Sequence, residues 1–463
     1  MKLGLFFSII GLIVLPGCMI GPRVQQPFVN LPNKFSATQT QSDAVNLDEW
    51  WTFFNDPVLN KLISLGIDNN YDLKIACEKI EQTRAQYGIR AADLYPLIQI
   101  NGIANRARNL IALNQTIDIP ATTAYNYFQL GFDAVWELDV WGKLRHARNA
   151  AYFDYLSQIE LTRDVYVMLL GEIAKTYIDA QTFRTQMHLL KEQTAVDMKI
   201  LSLTSDQFQS GIESIIPTAQ QEARLAQTGD IFIQYNLAFK ESVIKLATLL
   251  GKNPEDFTLE DRPLGVPYSL KKLESGLPSD LLKRRPDIRR AERELAAATE
   301  RVGQAQAEWF PSFSLLGVLG PEERTISKWF FDTGLQWLIG ASVNWNFLTF
   351  GRISCNIEAK KSIERQALLN YCNVIIKALG DVETALVRYF DNNKRLTMLT
   401  AKLCAAITER DLIAHRWSAG IENQIDFLRS EKNRIMVEQE FTRTRQECSI
   451  ALISVYKALG GGW

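Results

Sequence analysis

The sequence predicts a mainly helical chain with a transmembrane β part, built from two internal repeats. Three observations carry this. The chain matches itself at a nearly constant offset. Two short runs in each copy alternate apolar and polar residues. Each copy also holds one very long tract with a single glycine and no proline.

The repeat sets the frame. Tyr71-Asp72-Leu73-Lys74-Ile75-Ala76 aligns with Pro286-Asp287-Ile288-Arg289-Arg290-Ala291 at a shift of 215, and Leu94-Tyr95-Pro96 meets Trp309-Phe310-Pro311 at the same shift. Further on the shift is 209: Trp136 meets Trp345, Trp141-Gly142-Lys143 meets Phe350-Gly351-Arg352, and Gly211-Ile212-Glu213 meets Gly420-Ile421-Glu422. A six-residue length change between Pro96 and Trp136 explains both values. Repeats of this size imply two similar structural units. The predicted boundaries are a signal peptide over 1–17, a lipid-anchored segment over 18–60, a first repeat over 61–251, a linker over 252–278, a second repeat over 279–460 and a tail over 461–463.

Each copy opens on a helix. In Arg284-Arg285-Pro286-Asp287, the proline suits a first helical turn, where its missing N–H would be unpaired anyway. Asp287 and Glu292 lie near the positive end of the helix dipole. The surrounding arginines are expected to form a solvated face. After the helix the period becomes two. Phe128, Leu130, Phe132, Ala134, Trp136, Leu138 and Val140 alternate with mostly polar residues, and Trp337, Ile339, Ala341, Val343, Trp345 and Phe347 do the same. Ile98, Ile100, Gly102 and Ala104, and Phe313, Leu315, Gly317 and Leu319, supply their partners. These are hairpins over about 97–141 and 312–350, each with one apolar face. Aromatic-rich strands of about 9–11 residues suit a membrane. Four strands cannot close a barrel, and lipid tolerates no open edge, so several chains must share one.

The long tracts follow, over 143–210 and 352–419. A continuous helix of that length would extend about 100 Å. Tyr166, Leu170, Ile173, Tyr177 and Ala180 match Ile375, Leu379, Val382, Leu386 and Tyr389, a 4-3-4-3 spacing that marks a helix-packing seam. Gly211 and Gly420 end the tracts, since glycine accepts the positive φ of a helix stop. Returning helices are expected over 218–250 and 425–459, with the two turns at the end farthest from the hairpins.

The N-terminus reads as an export signal. Lys2 precedes an apolar run from Leu3 to Leu15, then Pro16-Gly17-Cys18. The run is too short for a membrane helix and suits a signal peptide. Leu15-Pro16-Gly17-Cys18 resembles a bacterial lipobox, with Pro16 an unusual occupant and Cys18 the lipid-bearing residue. Met19, in place of an aspartate, points to the outer membrane. Lysine and arginine total 51 against 52 acidic residues, so no global field draws nucleic acid. The remaining cysteines, Cys77, Cys355, Cys372, Cys404 and Cys448, form no CxxC and are expected as small packing residues. The three histidines form no metal motif. No cofactor and no catalytic constellation is expected.

Taken together, the chain resembles the TolC/OprM-type outer-membrane efflux family, in its lipoprotein branch. The resemblance covers nearly all of the mature chain. Two long segments carry it: Leu47-Asp48-Glu49-Trp50-Trp51-Thr52-Phe53-Phe54-Asn55-Asp56-Pro57 and Leu281-Leu282-Lys283-Arg284-Arg285-Pro286-Asp287-Ile288-Arg289-Arg290-Ala291-Glu292. It implies a homotrimer with a twelve-strand barrel in the outer membrane and a long helical barrel in the periplasm. It also implies a periplasmic adaptor and an inner-membrane pump as partners, an exit-duct role, and no enzymatic activity. A type I protein secretion channel and a non-conducting lipid-anchored coiled-coil protein stand as alternatives. The resemblance places the gate at the tips: Arg416-Trp417 as the Arg-aromatic pair, Ile425 as the constriction residue, with Gly211 and Gly420 in the turns. Arg429 occupies a position that is commonly acidic in the family. Asp426 could supply the missing charge, pointing elsewhere from Arg429. Pro217 stands at the Asp426 position of the first copy, so the two tips are expected to differ.

Overall fold

The structure is a computed structural model and describes residues 19–24, 48–107, 124–260, 264–268, 284–323, 325 and 335–463. Cys18 and the signal segment lie outside the described residues. A 3-10 turn, Trp50–Phe54, precedes helices α1 (Pro57–Asn69) and α2 (Tyr71–Ala92). Strands β1 (Leu97–Ala107) and β2 (Tyr125–Leu138) follow, then α3 (Lys143–Gln209) and α4 (Ile216–Leu249). The second copy runs α5 (Pro286–Ala307), β3 (Ser312–Glu323), β4 (Leu335–Asn344), α6 (Arg352–Ser418) and α7 (Gln424–Ala458). Both long helices hold 67 residues.

The chain divides into two compact units. The first joins Met1–Phe28, Ile80–Gln158 and Ala291–Tyr371; the second joins Val29–Lys79, Ile159–Arg290 and Cys372–Trp463.

The first unit carries an antiparallel sheet in the order β1-β2-β3-β4. Its registers place Ile100, Phe132, Leu319 and Trp337 in one row, and Ile98, Ala134, Gly317 and Ile339 in the next. Facing residues on neighbouring strands share a sheet face. The alternation predicted strand by strand therefore merges into one apolar face across four strands. The other face carries Gln99, Asn101, Gln129, Asp133, Glu137, Ser314, Gln336 and Ser342. The hairpins repeat each other in detail: Trp136 Nε1 donates to the Leu94 carbonyl at 2.9 Å, and Trp345 Nε1 to the Trp309 carbonyl at 3.0 Å. One expectation is corrected. The alternating run reaches Phe347 and Val140, but β4 stops at Asn344 and β2 at Leu138. β3 begins at Ser312, opposite Asn344, so the residues beyond Asn344 have no strand partner among the described residues.

Below the sheet, His146 is buried. Its Nδ1 lies 2.6 Å from Glu300 Oε2 and its Nε2 lies 3.1 Å from the Ile20 carbonyl. Ile20 N–H also donates to the Trp141 carbonyl at 3.1 Å. Gly303 makes room for the ring, since a Cβ there would come within 2.4 Å of it.

The second unit has its core along the predicted seam. Leu170, Ile173, Tyr177 and Ala180 are buried, as are Ile375, Val382, Leu386 and Tyr389. A further cluster of Leu189, Val196, Ile200, Leu428 and Ile435 packs α3 against α7. The cysteine expectation is corrected: Cys77, Cys355 and Cys404 are exposed on the single chain, and Cys448 alone is fully buried. Burial pushes the Cys448 thiol up to about 11.

Candidate functional site

Four helices end in the same hydrogen-bond pattern, and each stop sits at a glycine of positive φ: Gly211, Gly251, Gly420 and Gly460. At the tips, Gly211 N–H donates to the Phe208 carbonyl and Ile212 N–H to Gln207, while Gly420 and Ile421 donate to Trp417 and Arg416. These are Schellman stops, which satisfy carbonyls that the helix end leaves unpaired. At the other ends of the returning helices, Gly251 and Gly460 allow a close approach. A Cβ on Gly251 would meet the Asn69 carbonyl at 2.5 Å, and one on Gly460 would meet the Arg284 carbonyl at 3.0 Å. Asn69 and Arg284 are related by the repeat shift of 215.

The second tip brings its predicted residues together. Arg416 Nε lies 3.1 Å from Glu422 across the turn. Trp417 stacks on Phe427 with ring centres 4.9 Å apart and planes 4° from parallel. Asn423 caps α7, its side-chain oxygen accepting from Asp426 N–H at 2.7 Å. Ile425 is half-buried. Asp426 and Arg429 do not point apart: Arg429 Nη1 lies 3.2 Å from Asp426 Oδ1. Residues three apart on a helix share a face, and that spacing overrides the expected separation. The aspartate is thus locally neutralised. The first tip differs as expected. Pro217 sits in the first turn of α4, and Ile215 caps it without a side-chain bond. Ile212, Ile215 and Ile216 are all exposed there. Sequence reasoning passed over this isoleucine cluster, and over Asn423 and Phe427. Three isoleucines within five residues around a glycine turn were the available signal.

Above the tips lies a buried ion pair that sequence reasoning also missed. Asp197 on α3 is fully buried, and Lys432 Nζ on α7 lies 2.7 Å from its Oδ1. Gln221 Nε2 on α4 donates to the same oxygen at 2.8 Å. Three helices therefore meet on one carboxylate.

The two motif segments act as anchors within the second unit. Trp50 is buried and stacks on Tyr456 at 5.4 Å, with Trp51 edge-on to it at 5.9 Å. Asp56 caps α1, accepting from Val58 N–H and Leu59 N–H, while Pro57 opens that helix. Tyr177 OH donates to the second Asp56 oxygen at 2.9 Å. Arg285 overturns the expectation of a solvated face. Its guanidinium grips both Asp287 oxygens, at 3.0 and 2.6 Å, and lies 3.3 Å from Asp381. It also donates to the Ala458 carbonyl at 3.1 Å and the Ala378 carbonyl at 3.4 Å. Burial opposes the Arg285 charge, but Asp287 and Asp381 outweigh it and push the guanidinium pKa further up. The first copy makes the same tie with a neutral residue: Asn70 Nδ2 donates to the Leu249 carbonyl at 2.9 Å. Pro286 starts α5, with Asp287 in its first turn.

Among the described residues, no group of three His, Cys, Asp or Glu side chains could hold a metal, and no helix is long and apolar enough to cross a membrane. A strand quartet with one unbroken apolar face, together with two 67-residue helices that each stop at a glycine turn, defines an outer-membrane channel subunit. The chain belongs to the Outer membrane efflux protein family, whose profile matches residues 62–252 and 277–461. It is 28% identical over 458 residues to the "Probable efflux pump outer membrane protein TtgC" of Pseudomonas putida (strain KT2440), covering 97% of this chain and 94% of that one. Its fold matches the outer-membrane channel OprN with a TM-score of 0.87 at 26% identity, over 96% of this chain and 100% of that one. It also matches the Neisseria gonorrhoeae MtrE outer membrane channel, solved in its open state, with a TM-score of 0.83 at 25% identity, over 96% and 98%.

Proposed function

We propose that this chain forms the exit duct of a tripartite efflux pump. Three copies share one barrel, and substrate leaves passively through it. An inner-membrane pump supplies the energy and a periplasmic adaptor joins the two. The chain performs no catalysis.

The observation that carries this reading is the open sheet. Its apolar face spans all four strands, so it suits lipid, yet β1 and β4 each leave a bare edge. Unpaired backbone is not tolerated in lipid, and closure removes the edges. Three chains give twelve strands, an even number within the range of such barrels. Lipid on Cys18 fits the same picture. Ile20, two residues further on, is tied to Trp141 and His146 beside the strands of the first unit.

The gate lies at the tips, where the second turn carries the Arg416–Glu422 and Asp426–Arg429 pairs and the first exposes Ile212, Ile215 and Ile216. The Arg416–Glu422 and Asp426–Arg429 pairs hold the second tip in its resting shape. An adaptor that binds the open arrangement better shifts the population toward it. Each exposed pair contributes about 0.2–1 kcal/mol, and three chains repeat it. Replacing Arg416 and Arg429 together with alanine therefore raises resting conductance several-fold in planar bilayers. Unchanged conductance would remove both arginines from the gate.

The decisive measurement pairs single-channel recording with the mass of the detergent-solubilised complex. A trimer with small, rarely open conductance supports a gated duct. A monomer that never conducts favours a lipid-anchored coiled-coil protein.

A further inference from the structure

We propose that the foot of the duct wall holds a subsite for drug-sized zwitterions, in which Glu308 takes the cationic group of a passing solute and Arg352 its anionic group. The inference rests on the exit-duct reading and adds a solute class to it.

The cavity lies within the first unit, where the strands give way to helices, and encloses about 510 Å³. That volume falls within the roughly 300–1,000 Å³ of small-molecule sites. Glu137, Ser312 and Asn344 line it. Glu137 faces Ser314 across the β2–β3 ladder, and Ser312 faces Asn344 across the β3–β4 ladder. Alternate residues of a strand share a face, so all three stand on the polar face of the sheet. The apolar face meets lipid, which leaves this cavity on the inner side of the wall. One of its sides is apolar. Trp141 stacks on Phe310 with ring centres 4.8 Å apart, and its Nε1 already donates to the Pro311 carbonyl at 2.9 Å. Asn346 and Asn356 add amide donors and acceptors.

The repeat shows why two charges stay open here. In the first copy, the equivalent of Arg352 is Lys143, and Glu137 holds it at 3.1 Å. The equivalent of Glu308 is Asp93, and Arg90 holds it at 3.2 Å. The second copy lacks both partners. Asn346 stands at the Glu137 position, at the shift of 209, and Ala305 stands at the Arg90 position, at the shift of 215. Among the described residues, Arg352 and Glu308 therefore meet no side chain of opposite charge, and Glu308 accepts only from the Asn356 amide, at 3.1 Å. Both line the one cavity without pairing with each other. The other charges there are engaged, Lys143 with Glu137 and Asp139 with Arg145 at 3.0 Å.

An open carboxylate, an open guanidinium and an aromatic side in one cavity complement a solute with an amine, a carboxylate and an apolar body. A cation alone or an anion alone satisfies one group and leaves the other. Arg352 is exposed and Glu308 half-buried, so each contact is weak. Weak contact suits a conduit, where a solute must enter the site and leave it again.

The test uses three forms of the tripeptide glycyl-phenylalanyl-glycine: the zwitterion, the N-acetylated form, which lacks the cation, and the C-terminal amide, which lacks the anion. Binding to the detergent-solubilised full-length protein is read by saturation-transfer NMR, and blockade of open bursts is read in planar bilayers. The zwitterion is expected to bind more tightly and block longer than either singly charged form, by roughly two- to fivefold. Glu308→Gln should abolish its advantage over the N-acetylated form and keep its advantage over the amide. Arg352→Gln should do the reverse. Asn346→Glu, which gives Arg352 the partner that Lys143 has, should reproduce Arg352→Gln with the guanidinium still in place. Equal binding of the three forms to the wild type, or an advantage untouched by all three variants, overturns the subsite. A trimer that conducts without the preference leaves the duct standing and removes the subsite. A preference held by a protein that never conducts keeps the binding site and removes the duct.

Discussion

Lys432→Met is expected to destabilise the assembled protein by about 3–5 kcal/mol, the range seen when one partner of a buried ion pair is removed. The cause is the stranded carboxylate rather than the lost attraction. Asp197 has no solvent contact, and Lys432 keeps only a sliver. Gln221 continues to donate to it at 2.8 Å, and Thr228 approaches at 3.4 Å, but neither carries a compensating charge. Replacing both residues, as Asp197→Asn with Lys432→Met, removes the charge and the need for a counter-charge together. The double variant should recover most of the loss, because buried pairs replaced as a unit are often near neutral. The readout is the heat-dissociation midpoint of the solubilised protein across the four members of the cycle. A Lys432→Met midpoint equal to wild type would show that the pair is solvated in the assembly. The same tie joins α3, α4 and α7 close to their tips. Its loss should therefore also raise resting conductance, and the double variant should restore closure in part.

The contrast between what was legible in the sequence and what was not follows from range. The strands and long helices were legible because each rests on a local period: alternate residues for a pleated face, four-and-three spacing for a seam. Two copies make each signal readable twice, and the predicted tract ends at 210 and 419 lie one residue beyond the observed helix ends at Gln209 and Ser418. Arg285 is misread as part of a solvated face because, apart from Asp287, the groups that bury it lie far along the chain. The Ala458 carbonyl is 173 positions away and the Ala378 carbonyl 93. Lys432 and Asp197 lie 235 positions apart and belong to different copies. Nothing in a period announces such a pair. Asp426 and Arg429 are a different failure. Their spacing of three places them on one helix face, where Arg429 reaches the Asp426 carboxylate. Cys355 and Cys404 were expected to pack because cysteine is usually buried. On one chain they are exposed, each on a long helix where the packing seam is the narrow stripe and most positions face away from it.

The second large effect is expected at Arg285. Arg285→Ala removes one guanidinium from two carboxylates and two carbonyls. Asp287 and Asp381 are partly solvated, so the charge term is discounted, and the loss is set chiefly by charge-assisted hydrogen bonds at about 1.5–3 kcal/mol. Arg285→Lys should recover less than half of it, because an ammonium cannot grip both Asp287 oxygens and still reach the Ala458 carbonyl. The pH dependence adds a second, sharper check. Burial raises the Asp164 carboxyl above its ordinary value, the Asp287 charge raises it further, and the Arg285 charge holds it down. A raised carboxylate makes the folded state hold its proton longer than the unfolded one, so stability falls as pH rises through that window. Without Arg285, Asp164 shifts further up, and the deficit of the alanine variant should be complete above the folded pKa. Acidifying through that pKa protonates Asp164 in the folded form of variant and wild type alike, and should narrow the gap between them. A gap that stays constant on acidification would mean that Arg285 acts through packing and hydrogen bonds alone. The first copy makes the matching tie with neutral Asn70, so Asn70→Ala should show a smaller loss and no such narrowing. The comparison between the two copies separates the hydrogen bond to a helix C-terminus, which they share, from the charge, which only the second possesses.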